Sequence, residues 1–391
     1  MISVSEARKA MAACAVPMAR ERLLLVDAVG RFVVEEVLAP NEHPLFDCSA
    51  VDGYAMGAPD REGFHVIGIV AAGERPSVFL QQGQCVRIFT GAPVPQGADR
   101  VVMQEHCTLD GGLVQVQRAV PPGANIRQRG EQVRSGDVII GPGSKVDPPT
   151  IGLLASVGVE QVHVACRPRI AIVRTGGEFM PPGERSEARI FSSNDLMLDA
   201  AIQREFPGVR PTHLSAVDQE ERLSEALTSA MTHSDVVICT GGVSVGDHDL
   251  VRPVLEKLGA NIVFHRVAQK PGKPMLFAKH GEKAIFGLPG NPRAVMVLFW
   301  EYVLPFLRMV QGSVDPWPAT TCMPLQEAVE FNGERAEFRA AVVRDGTVVL
   351  LRDEGSHMLH SLIAAEAIAC LPMGNGRLKG GESIEIHYLQ K

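Results

Sequence analysis

Two lysines in a rigid frame, Lys270-Pro271-Gly272-Lys273-Pro274, are the residues of this sequence best suited to bind an anion. Proline restricts the backbone and glycine lets another group approach it closely, so the frame keeps both ammonium groups in place. A second turn, Gly287-Leu288-Pro289-Gly290-Asn291-Pro292, follows one short apolar run later and opens a long apolar helix. Lysines beside a helix N-terminus predict an anion site. The alternative is two proline-rich surface turns with solvated lysines.

Carboxylates in other turns add metal-binding chemistry to this prediction. They are Glu178 after Thr175-Gly176-Gly177, Asp218 ahead of a predicted helix, and Asp247 and Asp249 further along. Mg²⁺ prefers oxygen ligands, and we assign Glu178, Asp247 and Asp249 to it. Cations and Mg²⁺ together indicate transfer at a phosphoryl centre or on an oxyanion. The sequence contains neither G-x-x-x-x-G-K-[ST] nor G-x-G-x-x-G, which argues against a P-loop NTPase and a Rossmann dehydrogenase.

Further polar groups lie in loops of the first 130 residues. The loop Phe46–Ala55 contains Asp52, and Thr90 begins a proline-rich turn. Both segments are also compatible with plain Asx and glycine turns. Arg127 and Arg129 share one face of an extended segment, where they are either anion ligands or a charged strand edge. The predicted anion-binding residues are Arg127, Thr175, Gly241, Gly242, Ser244, Arg266, Pro289, Gly290, Asn291 and Pro292.

Strands and helices alternate between residues 169 and 305, which predicts a doubly wound parallel sheet. The turns at 175–178, 240–249 and 288–292 each follow the end of a predicted strand. Because ligands of such sheets bind outside the carboxyl ends of the strands, these turns should converge on one site. Short Val/Ile-rich runs predict β-rich modules over 64–129 and after residue 336. Local signals predict a capping box at Ser3 and Glu6, and a helix capped by Thr150.

Size and composition limit the classes of protein to consider. At 391 residues the chain is expected to form two to four domains. A formal net charge of −7 argues against a nucleic-acid coat or a membrane-surface binder. The eight scattered cysteines form no C-x-x-C pair and favour reduced thiols in the cytoplasm. The first 20 residues do not resemble a signal peptide, and no run is long enough to span a membrane.

Six motifs occur in order along the chain, namely Ser49-Ala50-Val51-Asp52-Gly53-Tyr54-Ala55, Thr90-Gly91-Ala92-Pro93, Asn125-Ile126-Arg127 with Gly130-Glu131, Thr240-Gly241-Gly242-Val243-Ser244-Val245-Gly246, Lys270-Pro271-Gly272-Lys273-Pro274 and Gly287-Leu288-Pro289-Gly290-Asn291-Pro292. In this order they resemble a known family, the molybdopterin molybdenumtransferases of the bacterial MoeA type, shared with the gephyrin E domain and its plant counterpart. The resemblance covers nearly the whole chain.

The resemblance implies insertion of molybdate into adenylylated molybdopterin with release of AMP, supported by Mg²⁺. It implies a cytoplasmic homodimer of elongated, L-shaped, multidomain α/β subunits, with a cleft completed by the partner subunit. The implied domains are a central doubly wound domain similar to MogA and MoaB (1–13 and 166–312), a linking α/β domain (14–43 and 130–165), an inserted β-rich domain (44–129) and a C-terminal β-barrel (313–391). Enzymes that receive the molybdenum cofactor, and other proteins of its biosynthesis, are implied partners.

By motif, the catalytic residues implied by the family are Asp52, Thr90, Glu178, Asp218, Asp249, Lys270 and Lys273. The chain departs from the family pattern at Gly177 and Gln132, where an acidic residue is usual, at Ala294, where serine is usual, and at His357, where glycine is usual. These departures leave a second hypothesis open, namely an altered member that binds molybdopterin or an oxyanion without full transferase activity. A third is a scaffold role similar to that of gephyrin.

Overall fold

The computed structural model describes residues 1–60, 63–243, 249–352, 355 and 357–389. In chain order, the first elements are α1 (Val4–Ala12), β1 (Arg20–Leu24), β2 (Val37–Leu38), β3 (Cys48–Ser49), β4 (Gly53–Met56), β5 (Phe64–Val70), β6 (Gln84–Ile88), β7 (Arg100–Met103), β8 (Cys107–Asp110), β9 (Leu113–Val116), β10 (Ile126–Arg127), β11 (Val138–Ile140), α2 (Pro148–Ser156) and β12 (Gln161–Ala165).

The remaining elements form the second half of the chain. They are β13 (Ile170–Thr175), α3 (Asn194–Glu205), β14 (Thr212–Ala216), α4 (Glu220–His233), β15 (Val236–Thr240), α5 (Val251–Lys257), β16 (Asn261–His265), β17 (Gln269–Lys270), β18 (Leu276–His280), β19 (Lys283–Leu288), α6 (Pro292–Leu298), α7 (Leu304–Val310), β20 (Thr320–Pro324), β21 (Val329–Phe331), β22 (Ala336–Arg344), β23 (Thr347–Leu350), α8 (His360–Ala364), β24 (Ala367–Leu371), β25 (Gly376–Leu378) and β26 (Ser383–Tyr388). None of the helices in this described part of the chain is long and apolar enough to cross a membrane.

The amino-terminal elements follow local sequence signals closely. Ser3 and Glu6 form the predicted capping box at the start of α1. Helix α2 begins earlier than predicted, because Asp147, not Thr150, is its N-cap and accepts a hydrogen bond from the Thr150 amide at 2.8 Å. Pro148 then occupies the first helical position, where its missing N–H costs nothing. We call α2 and two antiparallel strand pairs, β1 with β12 and β2 with β11, the linking region.

The inserted β-rich region is a six-stranded sheet with the order β7-β4-β6-β5-β9-β8. Its two ends return to the linking region through the short antiparallel pair β3 and β10. Gly53 lies in β4, which pairs with β6 on one side and with β7 on the other. A Cβ atom at Gly53 would be 2.0 Å from the Val102 carbonyl oxygen. The pairing therefore requires glycine at this position.

The central sheet has the order β14-β13-β15-β19-β18-β16 and helices on its faces, as an α/β domain should. Strands β14, β13, β15 and β19 are parallel, whereas β18 runs antiparallel to both β19 and β16. The sheet is thus mixed and not wholly parallel as predicted. A two-stranded antiparallel extension at one edge is common in such sheets, and short apolar runs give little sign of strand direction.

One face of this sheet is covered by the helical segment that begins after β19. Helix α6 passes without a break into a π-helical segment, Phe299–Val303, and then into α7. The π turn directly precedes Pro305, which cannot donate an intrahelical hydrogen bond. Phe277, Phe286 and Phe306 form an aromatic cluster with centroid separations of 4.9–5.5 Å in the interior. This packing holds α7 against β18 and β19 of the sheet.

The C-terminal region is a sheet that closes on itself. Strands β22, β24, β26 and β20 are neighbours, and β23 pairs with the other side of β22. A bridge between Leu325 and Val348 joins the end of β20 to β23 and closes the barrel, as predicted. Strand β17 of the central region is added to β22 in parallel. The lysine turn that follows β17 is therefore attached to the barrel.

Candidate active site

A cationic cavity of about 440 Å³ lies between the lysine turn, the start of α6 and strand β22. It is lined by Lys270, Pro271, Gly272, Lys273, Pro274, Pro289, Asn291, Arg293, Ala294, Arg335, Glu337, Phe338 and Arg339. Five cations and a single carboxylate make its field positive, although the chain as a whole has a net charge of −7. Such a local cluster suits a small anion.

Sheet pairing positions the first lysine of this cavity. Lys270 lies opposite Glu337 in the β17–β22 pair, and its Nζ is 3.4 Å from the Glu337 carboxylate. Gly272 has a φ of +99°, and a Cβ atom there would be 2.8 Å from Leu298. The turn can therefore pack directly on the helix only because glycine stands there. Lys273 is exposed and makes no ion pair within the described part of the chain.

Glu337 is buried beneath the cations. Burial alone would raise the pKa of its carboxyl. Two hydrogen bonds from Arg339, at 2.6 and 2.9 Å, and the charges of Arg339 and Lys270 outweigh that effect and bring the pKa below its ordinary value. Glu337 therefore stays ionised and orients Arg339 and Lys270, while Lys273 remains available to a ligand.

A second cavity of about 470 Å³, here called the strand-end cavity, lies outside the carboxyl ends of β13, β15 and β19. It is lined by Thr175, Glu178, Phe179, Ile190, Phe191, Ser193, Asn194, Thr240, Gly241, Gly242, Val243, Pro274, Pro289, Gly290, Asn291 and Pro292. Residues of all three predicted turns thus meet at one edge of the sheet, with the second turn represented there by residues 240–243. The lining combines aromatic and aliphatic side chains with backbone polar groups, which suits a flat organic ligand.

Glycines allow the strands to end so close together. Gly241 has a φ of +89°, and a Cβ atom there would be 2.6 Å from Thr175 Oγ1. That hydroxyl donates a hydrogen bond to the Thr240 carbonyl at 3.1 Å. Gly176 is likewise covered by the Glu178 carboxylate, which would lie 2.0 Å from a Cβ atom. Any larger residue at these glycines would displace the turn or its cover.

The amide of Asn194 has one polar atom that is paired and one that is unpaired among the described residues. Its Nδ2 donates to the Gly290 carbonyl at 2.7 Å. Its Oδ1 is buried and has no hydrogen-bond partner among the described residues, although the side chain lines the strand-end cavity. Buried polar atoms are normally paired, so a ligand in this cavity is the natural donor to Oδ1.

The cationic cavity and the strand-end cavity adjoin. Pro274, Pro289 and Asn291 line both of them. Asn291 is the N-cap residue of α6 and makes no capping hydrogen bond with its side chain, which leaves that side chain to face the two cavities. The arrangement can therefore hold an organic phosphate ester and a small oxyanion side by side.

Asp52 and Thr90 form a separate cluster in the inserted region. The Asp52 carboxylate accepts hydrogen bonds of 2.8 Å from the Thr90 amide and hydroxyl. These two bonds lower the pKa of Asp52 below its ordinary value. Arg127, in β10, pairs with Cys48 at the base of the same loop. Within the described part of the chain, neither cavity includes Asp52, Thr90 or Arg127.

Three other predicted residues lie outside the lining of both cavities in the described ranges. Asp218 is exposed between β14 and α4, and Gln219, not Asp218, is the N-cap residue. Asp249 lies two residues before the start of α5, whose N-cap residue is Leu250. Arg266 has a φ of +73°, and its backbone bonds to Ile2 and Met275. The predicted residues Ser244 and Asp247 fall outside the described residues.

The donor chemistry of this edge fits Mg²⁺ in part. Glu178 offers carboxylate oxygens at the strand-end cavity, as Mg²⁺ requires. Among the described residues, however, Glu178 and Asp249 do not belong to a group of three potential ligands; the group that does form is elsewhere, in the C-terminal barrel. Mg²⁺ at Glu178 would therefore take further oxygens from substrate or water.

Sequence reasoning missed the residues that the barrel and α3 contribute. Arg335, Glu337 and Arg339 line the cationic cavity from β22 and its approach, and Asn194 lines the strand-end cavity from α3. A signal was present for the first group, because alternate charged residues in Arg335-Ala336-Glu337-Phe338-Arg339 share one face of a strand. Asn194 resembles an ordinary helix-capping residue, so its sequence gives no such signal.

Comparison with known proteins agrees with this multidomain architecture. The chain matches the MoeA N-terminal region (domains I and II) over residues 2–158, a probable molybdopterin binding domain over 171–309 and the MoeA C-terminal region (domain IV) over 323–389. The matched regions thus define a protein of molybdopterin biosynthesis.

Individual relatives extend over nearly its whole length. Molybdopterin molybdenumtransferases from Haemophilus influenzae and Bacillus subtilis are 30% and 33% identical to it, covering 99% and 95% of this chain and 98% and 90% of their own. The crystal structure of the molybdopterin biosynthesis MoeA protein from Pyrococcus horikoshii covers 100% of both chains with a TM-score of 0.85 and 28% identity. The chain belongs to the MoeA family of molybdopterin molybdenumtransferases.

Proposed function

We propose that the protein inserts molybdate into adenylylated molybdopterin and releases AMP. The observation that carries this proposal is the shared wall of the two cavities. A small dianion such as molybdate suits the cationic cavity, and the pterin nucleotide suits the strand-end cavity, which has aromatic and backbone polar groups in its lining. The adjoining positions would place the metal oxyanion beside the ligand that receives it.

The chain's own residues would act by binding and charge neutralisation. Lys273, which has no ion pair in the described ranges, would bind molybdate directly, with Lys270 and Arg339 oriented by Glu337 beside it. Glycine turns leave backbone groups accessible to the phosphate of the nucleotide. Cations held in place also favour the negative charge that develops on the departing AMP.

We assign Mg²⁺ as the metal of this reaction, with Glu178 as its protein ligand at the strand-end cavity and further oxygens from substrate or water. Mg²⁺ supplies positive charge to phosphate oxygens when it is bound. The exposed carboxylate of Glu178 supports the assignment, because a carboxylate beside a polyanion would weaken binding unless a cation joined them.

We further infer a homodimer in which Asp52 and Thr90 of one subunit complete the cavities of its partner. Support comes from their separation: the two residues are linked by short hydrogen bonds yet line neither cavity of their own chain. Reduced thiols, of which the chain has eight, support a cytoplasmic location. The product would pass to enzymes that use the molybdenum cofactor.

The decisive experiment is an assay of AMP release by the pure protein with adenylylated molybdopterin, molybdate and Mg²⁺. We expect release that depends on molybdate, and tungstate can replace molybdate as a comparison. Binding of the nucleotide without release would overturn the transferase and favour an altered binding protein.

Mixed subunits test the shared site. Asp52→Asn and Lys273→Ala should each inactivate a homodimer, whereas mixing them should restore about a quarter of the activity, because half of the dimers are mixed and each then has one intact site. A mixture as inactive as either variant would place Asp52 outside the partner's site.

A further inference from the structure

We propose that the C-terminal barrel contains a Zn²⁺ site formed by Cys370, Glu385 and His387. One ligand atom from each of these residues lies within 4.8 Å of the other two. Thiolate, imidazole and carboxylate are the ligands that Zn²⁺ takes in proteins, and three protein ligands leave a fourth position for water. The site lies away from both cavities, which these residues do not line.

Strand pairing builds this group on a rigid support. Cys370 in β24 lies directly opposite Glu385 in β26. His387 follows Glu385 by two residues and therefore points to the same face of the sheet. Because the three positions are fixed by backbone hydrogen bonds, the ligands are brought together by the fold itself and not by a flexible loop.

The distances suit a tetrahedral ion. His387 Nε2 is 3.4 Å from Cys370 Sγ. For a tetrahedral Zn²⁺, bond lengths of about 2.3 Å to sulfur and about 2.0 Å to nitrogen place those two atoms about 3.5 Å apart. Nε2 is 2.9 Å from the Glu385 carboxylate, which must move outward by a few tenths of an ångström. The Glu385 side chain is 55% exposed and has room to do so.

The other ring nitrogen of His387 is oriented as in many zinc proteins. Nδ1 is 2.9 Å from both carboxylate oxygens of Glu301, which is fully buried in the π-helical segment. Arg8 of α1 forms an ion pair with the same carboxylate. A carboxylate that accepts a hydrogen bond from Nδ1–H fixes the tautomer in which Nε2 binds the metal. The ion would thus fasten the barrel to the central region through His387 and Glu301.

Cobalt spectroscopy tests the site, because Co²⁺ replaces Zn²⁺ and reports its ligands. Untagged full-length protein, first treated with a chelator, is titrated with Co²⁺. We expect one equivalent to give the visible bands of a tetrahedral site and a near-ultraviolet band from thiolate to cobalt. Zn²⁺ should abolish both, whereas excess Mg²⁺ should not, since it avoids sulfur and nitrogen ligands.

Variants identify the ligands. Cys370→Ser should lose the thiolate band, and Cys107→Ser, which changes a half-buried thiol of another sheet, should retain it. Glu385→Gln alters an exposed side chain and should weaken Co²⁺ binding about tenfold without unfolding the barrel. Absence of the thiolate band in the wild type, its persistence in Cys370→Ser, or unchanged affinity in Glu385→Gln would overturn the proposal.

Discussion

The two ends of the central sheet differ in how completely their polar groups are satisfied. At the amino ends of β13 and β15, Arg169 and Asp235 form a two-pronged ion pair, and the Asp235 carboxylate also accepts from the Arg169 amide at 2.8 Å. The Asp235 amide returns a bond to the Arg169 carbonyl. At the carboxyl ends, Gly176 and Gly241 have positive φ, and Asn194 Oδ1 lacks a partner among the described residues.

This difference indicates what each end contributes. The Arg169–Asp235 pair at the amino end is complete without a ligand, so its interactions stabilise the fold. The carboxyl end has tight glycine turns and, among the described residues, a buried acceptor without a partner, which a ligand would complete. We therefore expect substitutions at the amino end to alter stability and those at the carboxyl end to alter activity.

The largest expected effect is that of Lys273→Ala. Because Lys273 would bind molybdate directly, its loss should lower AMP release at least about a hundredfold, as removal of a key electrostatic group does in other enzymes. Its carbonyl group, which accepts from the Val267 amide at 3.0 Å, is unaffected by the change. The melting temperature should therefore stay near that of the wild type.

Lys257→Ala is the matched control for Lys273→Ala. Lys257 lies at the end of α5 and pairs with Glu220 on the surface of the same domain. It should keep full activity. If both variants lose activity equally, or if Lys273→Ala binds molybdate normally in calorimetry, the cationic cavity is not the oxyanion site.

Asp235→Ala should show the opposite pattern. We expect it to lower the free energy of unfolding by about 1–2 kcal/mol, a modest value because the exposed Arg169 partner is screened by solvent. The Michaelis constant and turnover of AMP release should not change below the unfolding temperature. Urea unfolding followed by circular dichroism gives the first quantity; a loss of activity without a loss of stability would contradict the division between the two ends.

Asn194→Ala should have a smaller effect, on ligand binding. A ligand donor to Oδ1 contributes about 1 kcal/mol when the acceptor is neutral, so the Michaelis constant for the pterin nucleotide should rise about fivefold. Asn332→Ala, in an exposed loop of the barrel, is the control. An unchanged Michaelis constant would mean that Oδ1 meets no substrate atom.

The contrast between the ends of the sheet could be predicted only in part from the sequence. Strand–helix alternation places Thr175, Gly241 and Pro289 at the ends of three strands, and the structure brings them to one cavity. The side of the cationic cavity that β22 forms could not be derived from the sequence, since the pairing of β17 with β22 joins residues far apart in the chain. Local patterns record such long-range pairing poorly.

Capping shows a similar limit at shorter range. Thr150 and Asp147 are both acceptable N-cap residues, and the choice depends on Pro148, whose fixed φ suits the first helical position. The location of Asp52 and Thr90 is a limit of another kind. Their hydrogen bonds are local to one region, and under the homodimer that we infer their relation to the cavities would depend on a second subunit, which a single sequence does not position.

The smallest expected effect is the pH dependence that Asp235 gives to the amino end. Burial would raise the pKa of Asp235, but hydrogen bonds and charge from Arg169 lower it below its ordinary value. Between the two pKa values the unfolded chain binds more protons, so the contribution of Asp235 to the free energy of unfolding is complete above about pH 4 and is lost as the pH falls through the folded pKa.

Asp235→Asn removes this titration. Its urea midpoint should therefore fall less between pH 5 and pH 3 than that of the wild type. Glu184→Gln, which makes the same charge change on the exposed surface, should show the same fall in urea midpoint between pH 5 and pH 3 as the wild type. An equal fall in urea midpoint in all three proteins would show that Arg169 does not stabilise the ionised carboxylate of Asp235.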